Sequence, residues 1–227
     1  SFSIIRNNEK RNIWVGMARE TAHQLGTPIS SLIGWIEWLK KKPDDQDKII
    51  NDISIDLDRL QQVSDRFSKM GSETKLKEIH LSSIIDNVVL YFNRRIPSMG
   101  KSIVIDNQLD SNIKIRANGI LISWAIENIV KNAIDALDNE GSITLKSKRD
   151  KKNIIIQIED SGKGILRKDW KNIFRPGFST KEQGWGLGLS LTSRIIKEIH
   201  GGTIYVAKSQ PDQGSIIEIS LPKLNNA

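Results

Sequence analysis

Three short segments rich in asparagine, aspartate and glycine carry the spacing of a nucleotide site. They are Asn128 with Asn132 on a predicted helix, Asp160-Ser-Gly-Lys-Gly164 after a predicted strand, and Gly184-Trp-Gly-Leu-Gly188 before a further helix. Glycine allows close backbone approach, an amide oxygen suits Mg²⁺, and a helix N-terminus attracts phosphate. Each segment alone is more often a turn or a polar helix surface. In this order they predict a nucleotide site.

The composition excludes several classes of function. The 227 residues include no cysteine, which rules out disulfides, thiolate metal sites and thiol catalysis and fits a reducing cytoplasm. No apolar run reaches the length of about 18 residues that a membrane span needs. The net charge of +7 is spread along the chain, so we expect a solvated surface and no nucleic-acid partner. The chain begins with Ser rather than Met, which suggests a fragment of a longer protein.

The first part of the chain is predicted to be a helical hairpin. An apolar seam with steps of three and four residues runs along the first helix at Val15, Ala18, Ala22, Leu25, Ile29, Leu32, Ile36 and Leu39. Pro28 is expected to bend this helix. A second stripe follows at Ile49, Ile53, Leu57, Leu60, Val63, Phe67 and Met70. One hairpin buries too little surface to be stable, so a second copy is expected to complete a four-helix bundle.

The histidine of the first helix lies off this seam. At about 100° per residue, His23 falls roughly 140° from Ala18, on the solvent side of the helix. Arg19, Glu20 and Thr27 lie within about 60° of it. A lone exposed histidine is usually a plain surface residue, so its position alone assigns it no role.

The pattern changes after a polar linker at Gly71 to Lys75, which separates domains 1–74 and 75–227. Helices are predicted from Leu81, from the capping residue Asn118 to about Leu137, and from Leu187 to His200. Strands are predicted at 102–106, 113–116, 142–148, 153–159, 203–207 and 215–220. Separate runs of strands and helices favour an α+β fold in which helices cover one face of a single sheet.

These segments resemble the catalytic core of a bacterial two-component sensor histidine kinase over nearly the whole chain. Residues 20–32 resemble the H box, 128–136 the N box, 160–164 the first glycine box, 173–181 the F box and 184–189 the second glycine box. His200-Gly-Gly-Thr203 and Gly214-Ser215 are similar to the closing hairpin of that family. The resemblance implies a dimeric four-helix bundle made of antiparallel helical hairpins, followed by an α/β sandwich of the Bergerat ATP-binding type.

The resemblance also implies roles for individual residues. His23 would be the phosphoacceptor, assisted by Glu20, Gln24 and Thr27, since a neutral imidazole offers a lone pair without prior deprotonation. Asn132 would be the Mg²⁺ ligand, and Asp160 would accept a hydrogen bond from adenine. The other residues implied at the ATP site are Asn128, Asp135, Gly162, Gly164, Lys181, Gly184, Gly186, Gly188, Leu189 and Thr203. Asp135 could equally face solvent.

The same resemblance implies partners and a place of action. It implies an ATP-dependent protein-histidine kinase that phosphorylates His23 and passes the phosphoryl group to an aspartate of a response-regulator receiver domain. The kinase would act in the cytoplasm as a homodimer. A full-length protein of this kind can be anchored in the cell membrane through segments absent from this chain.

Gln24 departs from the family pattern. The usual H box has Glu or Asp directly after the histidine, read as the base that assists phosphoryl transfer. Glutamine is not a useful proton acceptor, so Glu20 or water would have to take the proton. Gln24 and Thr27 could instead orient water on a partner's phospho-aspartate. The alternative is therefore an ATP-binding signalling scaffold or phosphatase-biased protein with weak autokinase activity. The H-box hairpin disfavours a DNA-strand-passage or chaperone ATPase.

Overall fold

The chain divides into two compact units, Ser1–Glu73 and Thr74–Ala227. The computed structural model describes residues 2–42, 46–71, 75–180 and 186–224. Within these residues no helix is both long enough and apolar enough to cross a membrane. Each unit is described separately below.

The first unit is a pair of antiparallel helices, as the sequence predicts. Helix α1 spans Phe2–Lys41 and α2 spans Gln46–Gly71. Trp35 Nε1 donates a 3.0 Å hydrogen bond to Asp56 Oδ2 across the pair. Ile49 and Val63 of α2 are buried. Pro28 lies within α1 and is also buried.

Much of the predicted apolar seam is not buried within a single chain. Ile29 is 46% exposed, Ile36 49% and Leu57 52%. The rest of the seam on α1 is exposed at Ala18 and Ala22 and half-buried at Leu25, Leu32 and Leu39. The side chains of Val15, Phe67 and Met70 lie outside the described part of the structure. One hairpin covers only one side of each helix, so the seam of a larger bundle stays open in a lone chain.

The second unit contains both helices and strands. Its helices are α3 (Leu81–Arg95), α4 (Gly119–Ala136) and α5 (Gly188–Arg194), and a π-helical turn at Ile195–Ile199 continues α5. Its strands are β1 (Lys77–His80), β2 (Ser102–Gln108), β3 (Lys114–Ala117), β4 (Glu140–Arg149), β5 (Asn153–Asp160), β6 (Thr203–Ser209) and β7 (Ser215–Pro222). Short 3₁₀ turns occupy Pro97–Met99, Arg167–Asp169 and Asn172–Phe174. The sequence predicted each of these strands except β1.

The strands form two sheets, so the prediction of a single sheet was wrong. The larger sheet has the order β2-β4-β5-β7-β6, with β2 parallel to β4 and the other neighbours antiparallel. Strand β3 pairs instead with β1, and Lys77 lies opposite Ala117. The one apolar residue of β1 is Ile79. The strand therefore carries no alternating pattern that sequence analysis could detect.

Strand β5 shows which face of the larger sheet belongs to the core. Ile154, Ile156 and Ile158 are buried, and Asp160 continues the same alternation. Helix α4 contacts this sheet and buries Leu121, Ile122, Trp124, Ala125, Ile126, Ile129, Val130, Ala133 and Ile134. The strand period therefore places a carboxylate on the face that also carries the core.

Groups from outside α4 hold both of its ends. Asn118 Oδ1 accepts a 3.1 Å hydrogen bond from Leu121 N–H, which confirms the predicted cap. The backbone N–H of Asn118 donates to His200 Nε2 at 3.1 Å. At the opposite end, Lys101 Nζ donates to two backbone carbonyls, at 2.9 and 2.6 Å. A cation there is also favoured by the helix dipole.

The His200 ring is buried and neutral in this arrangement. Its Nδ1 lies 2.8 Å from Ile195 O and acts as the donor, because Nε2 accepts from Asn118. Burial lowers the pKa of His200 from 6.5, and the hydrogen bond to Ile195 opposes this in part. A lowered pKa means that the neutral ring stabilises the fold above pH 6.5. That stabilisation is lost as the pH falls from there toward the lowered pKa.

We therefore expect acid to destabilise the wild-type chain more steeply than a His200→Gln variant. The Gln amide oxygen can still accept the Asn118 N–H, but it does not titrate in this range. Urea unfolding followed by circular dichroism between about pH 7.5 and 5.5 measures the difference. Parallel stability profiles for the two proteins would contradict this role of His200.

Candidate functional site

Asp160 ends strand β5 on the buried face of the sheet. Its Oδ1 accepts a 2.8 Å hydrogen bond from the backbone N–H of Gly162. Burial raises the pKa of Asp160, while hydrogen bonds from the Gly162 and Ser215 backbones lower it in part. A carboxylate held in this way is a strong acceptor for an N–H group of a ligand.

The loop after Asp160 packs against the end of α4. Lys163 N–H donates to Ala136 O at 3.1 Å, and a Cβ on Gly162 would lie 2.6 Å from the same oxygen. Gly164 has a φ of 71°, and a Cβ there would lie 1.9 Å from Gln210 O. The sequence predicts that these glycines let the backbone approach a base. In the structure they also accommodate other backbone of the same chain.

Asn128 joins α4 to the beginning of α5. Its Nδ2 donates to Gly188 O at 3.3 Å and lies 3.4 Å from Thr192 Oγ1. Thr192 Oγ1 in turn donates to Gly188 O at 2.9 Å. The amide nitrogen of Asn128 therefore fixes the second glycine segment. A structural role of this kind was not part of the sequence prediction, which placed Asn128 at the ATP site.

Gly186 packs on the turn of the predicted F box. Its carbonyl accepts a 3.1 Å hydrogen bond from Gly177 N–H, its φ is 63°, and a Cβ there would lie 2.4 Å from Phe178 O. Leu189 is half-buried in α5. Lys181 and Gly184 lie outside the described residues, so their predicted roles stay predictions.

Helix α4 brings most of the predicted groups together. The Gly188 segment contacts it at Asn128 and the Gly162 loop contacts it at Ala136, about 12 Å apart along the axis. Asn132, half-buried, and Asp135, exposed, lie on α4 between these two contacts. A carboxylate acceptor at one end and amide and carboxylate oxygens along the helix suit an elongated ligand with a base and phosphates.

Thr203 is not brought to this end of the sheet. It pairs with Ser220, whereas Asp160 pairs with Ser215 at the other end of β7. The separation is roughly 17 Å at the usual rise per strand residue. An antiparallel hairpin places the beginning of β6 beside the end of β7, which carries Thr203 away from Asp160.

Sequence reasoning gave no site role to two serines, one paired with Asp160 in the sheet and one bonded to the loop that follows Asp160. Ser215 is buried opposite Asp160, and Ser209 Oγ accepts a 2.7 Å hydrogen bond from Ile165 N–H. The local signal was weak, since a serine at a hairpin end is common.

A groove of about 550 Å³ adjoins the loop that follows Asp160. It is lined by Ala136, Leu137, Asp138, Asn139, Glu140, Ser161, Gly162, Lys163 and Asp212. Its lining includes neither Asn128 nor Asn132.

The predicted phosphoacceptor segment lies in the other unit. The backbone of His23 lies within α1, and the side chains of His23 and Glu20 are outside the described part of the structure. Gln24 is half-buried. Thr27 is exposed, and its carbonyl accepts a 3.2 Å hydrogen bond from Ser31 Oγ.

The donor set on α4 suits Mg²⁺ better than a transition metal. Among the described residues, no group of three or more His, Cys, Asp and Glu side chains could hold a metal ion. Mg²⁺ needs no such cage, because it keeps several waters and takes one or two protein oxygens together with phosphates. The carboxamide of Asn132 can supply such an oxygen.

Two family models match consecutive parts of the chain. Residues 15–73 match the His Kinase A (phospho-acceptor) domain. Residues 117–225 match the histidine kinase-, DNA gyrase B- and HSP90-like ATPase family. The first match contains His23, and the second contains α4 and the segments that contact it.

Known kinases are similar over nearly the whole chain. Sporulation kinase C of Bacillus subtilis is 26% identical over 96% of this chain and 51% of its own length. The histidine kinase ThkA, solved in complex with the response regulator protein TrrA, has a TM-score of 0.60 and 26% identity, over 96% of this chain and 64% of the solved one. The catalytic domain of ThkA alone has a TM-score of 0.59 and 29% identity, over 66% of this chain and 97% of the solved domain. The chain spans 51% of sporulation kinase C and 30% of sporulation kinase E, so these relatives are longer proteins than the chain described here.

The contact between Gly162 and Ala136 should be intolerant of a side chain. Gly162→Ala is expected to lower the free energy of unfolding by about 1–3 kcal/mol, since backbone must move to relieve the overlap. Thermal unfolding measures the loss. The matched control is Gly119→Ala, where a Cβ would lie 3.6 Å from Ile79 Cδ1, an ordinary contact at the beginning of α4. Equal melting temperatures for the two variants would contradict the packing described above.

Proposed function

The chain belongs to the two-component histidine kinase family, and from this premise we propose that it transfers the γ-phosphoryl group of Mg·ATP to His23. The observation that carries the proposal is the arrangement around α4. There the Asp160 loop and the Gly188 segment flank Asn132 and Asp135. The match of residues 15–73 to a phospho-acceptor domain supports His23 as the acceptor.

The residues of the second unit bind and orient ATP. The Asp160 carboxylate accepts an N–H from the exocyclic amine of adenine, which fixes the base at the end of β5. Asn132 would hold Mg²⁺ through its amide oxygen, and Asp135, exposed one turn further along α4, would add a carboxylate beside it. When bound, Mg²⁺ neutralises phosphate charge. Catalysis then rests on positioning and electrostatics rather than on a covalent protein group.

The transfer step uses the neutral imidazole of His23. A ring nitrogen lone pair forms the N–P bond while the bond between the γ-phosphorus and the oxygen of the departing ADP breaks. The proton on the other ring nitrogen passes to Glu20 or to water. The phosphoryl group then moves to an aspartate of a response-regulator receiver domain, the class of partner with which ThkA was solved.

The open seam on the helical hairpin supports a homodimer. Ile29, Ile36 and Leu57 expose about half of their surface in a lone chain. Apolar patches of this kind are normally covered by a partner. A second copy would cover them in a four-helix bundle. We infer that this part of the protein works in the cytoplasm, where ATP is available, and that any membrane anchor lies in segments outside this chain.

Gln24 favours a second candidate function. Because its amide is a poor base, the chain could bind ATP yet phosphorylate His23 slowly. Together with Thr27 it could orient water on a phosphorylated partner. The protein would then be an ATP-binding scaffold or a phosphatase-biased member of the family.

Labelling with γ-labelled ATP tests the acceptor and separates the two candidates. We expect acid-labile label on the wild type and on His80→Gln, a control that removes an exposed histidine of the other unit. His23→Gln should take up none. Gln24→Glu should label about tenfold faster or more, since it restores a base. Equal labelling of the wild type and His23→Gln would remove His23 from the mechanism. If the wild type takes up no label but the Gln24→Glu variant does, the result would favour the second candidate, an ATP-binding scaffold or phosphatase-biased protein.

Asp160 should make ATP binding sensitive to acid. Its pKa is raised from 3.8, mainly by burial, so the carboxylate takes up a proton at a higher pH than an ordinary Asp does. Affinity for ATP should therefore fall as the pH drops toward that raised value. Asp160→Asn should bind about 10- to 100-fold more weakly at neutral pH, through loss of a charge-assisted hydrogen bond.

Calorimetric titration with ATP at several pH values measures both effects. The control is Glu159→Gln, which alters the neighbouring carboxylate in the same strand, outside the buried series of β5. At neutral pH its affinity should match the wild type, whereas at lower pH it should fall slightly less, since the Glu159 charge contributes to the raised pKa of Asp160. Unchanged affinity in Asp160→Asn would refute the assignment of the base to this end of β5.

A further inference from the structure

We propose that the turn joining β6 to β7, taken with the strand residue at each end of it (residues 209–215), determines base selectivity, with Ser209 as the positioning residue. This turn, called here the hairpin clasp, touches the loop that follows Asp160 on several sides. The inference rests on the proposed function, because it assumes that the Asp160 carboxylate receives the exocyclic amine of adenine. It adds a group that fixes where that carboxylate and its loop lie.

Backbone hydrogen bonds join the clasp to the Asp160 loop. Gly214 N–H donates to Gly162 O at 2.8 Å, and Asp212 N–H donates to Lys163 O at 2.9 Å. Asp212 has a φ of 60°, a left-handed conformation that Asp tolerates better than most residues. The clasp therefore binds two consecutive carbonyls of the loop. A shift of either segment requires a shift of the other.

The clasp and the Asp160 loop also approach each other too closely for a side chain to fit between them. A Cβ on Gly164 would lie 1.9 Å from Gln210 O, and a Cβ on Gly214 would lie 1.9 Å from Asp160 O. Each of the two segments thus has a glycine at the point where the other segment presents a backbone carbonyl. This reciprocal contact includes the backbone of Asp160 itself, so the clasp acts at the residue that meets the base.

The Ser209 hydroxyl closes the arrangement. Its Oγ accepts from Ile165 N–H at 2.7 Å and donates to Gly214 O at 2.9 Å. One side chain thus links the end of the Asp160 loop to the end of the clasp. Removing the hydroxyl leaves the half-buried Ile165 N–H without this acceptor, and water entering in its place would let the loop shift.

Base selectivity is the property that such a shift should change. Adenine presents an amine at its 6-position, which a carboxylate accepts, whereas guanine presents a carbonyl there, which a carboxylate repels. Discrimination therefore depends on the placement of the Asp160 oxygens. In the pose that adenine takes, guanine places its 6-carbonyl, and not its N1–H or 2-amine, against the carboxylate. A misplaced carboxylate therefore loses affinity for ATP but loses no bond with GTP bound in that pose.

Competition titrations with ATP and GTP on the full chain test this. Ser209→Ala should weaken ATP binding about tenfold and leave GTP binding nearly unchanged, so that selectivity falls about tenfold. Ser209→Thr, which keeps the hydroxyl, should restore selectivity, and Ser209→Cys should fall between the two. The matched control is Ser147→Ala. Ser147 Oγ also accepts a backbone N–H, from Asp110 at 3.0 Å, but lies away from Asp160.

The outcomes separate this inference from the function on which it rests. A wild type that binds neither nucleotide overturns the proposed function and the inference with it. A wild type that prefers ATP, with the same preference in Ser209→Ala and Ser209→Cys, overturns the inference alone. Equal weakening of ATP and GTP also overturns it, because it would mean a merely structural role for Ser209. If Ser209→Ala does not fold, the graded pair Ser209→Thr and Ser209→Cys decides the question.

Discussion

The position of helix α4 is the constraint on which the rest of the ATPase-like unit depends. Its apolar side chains pack into the core, and its ends are held by Asn118 and Lys101. Both glycine segments contact this helix, one at Asn128 and one at Ala136. A shift or rotation of α4 would therefore displace both ends of the site at once. The ring of His200 links the two helices, because it accepts a hydrogen bond from the backbone of Asn118 at the beginning of α4 and donates one to the carbonyl of Ile195 at the end of α5.

The proposed contact of Asp160 with adenine would let one strand pattern serve binding as well as folding. It occupies a position in the buried series of β5 where the preceding members are isoleucines. Burying a carboxylate is unfavourable, and backbone N–H donors offset only part of that cost. Such a group gains more from a further donor than an exposed carboxylate would. The same burial that opposes its ionisation thus gives it a strong preference for a ligand that brings an N–H.

Sequence analysis predicted the elements with strong local signals. The hairpin helices, the Asn118 cap and the alternating strands were visible because periodicity and capping act within a few residues. It did not find β1, which has one apolar residue, or the separate sheet that β1 forms with β3. It also placed Thr203 at the site, because a motif match ignores which end of an antiparallel strand a residue occupies. The role of Ser209 could not be read locally, since its partner Ile165 is 44 residues away.

The bond from Ile165 to Ser209 has a consequence for how this fold can vary. The bond closes the segment from Ile165 to Ser209, which contains the predicted F box, the second glycine segment, α5 and β6. The two ends of this long loop therefore meet at one point. The entropy of closing a loop rises only slowly with its length. An insertion or deletion in the exposed part of this loop, near Lys168 and Lys171, would therefore change the closure entropy little and leave the strands at its base paired.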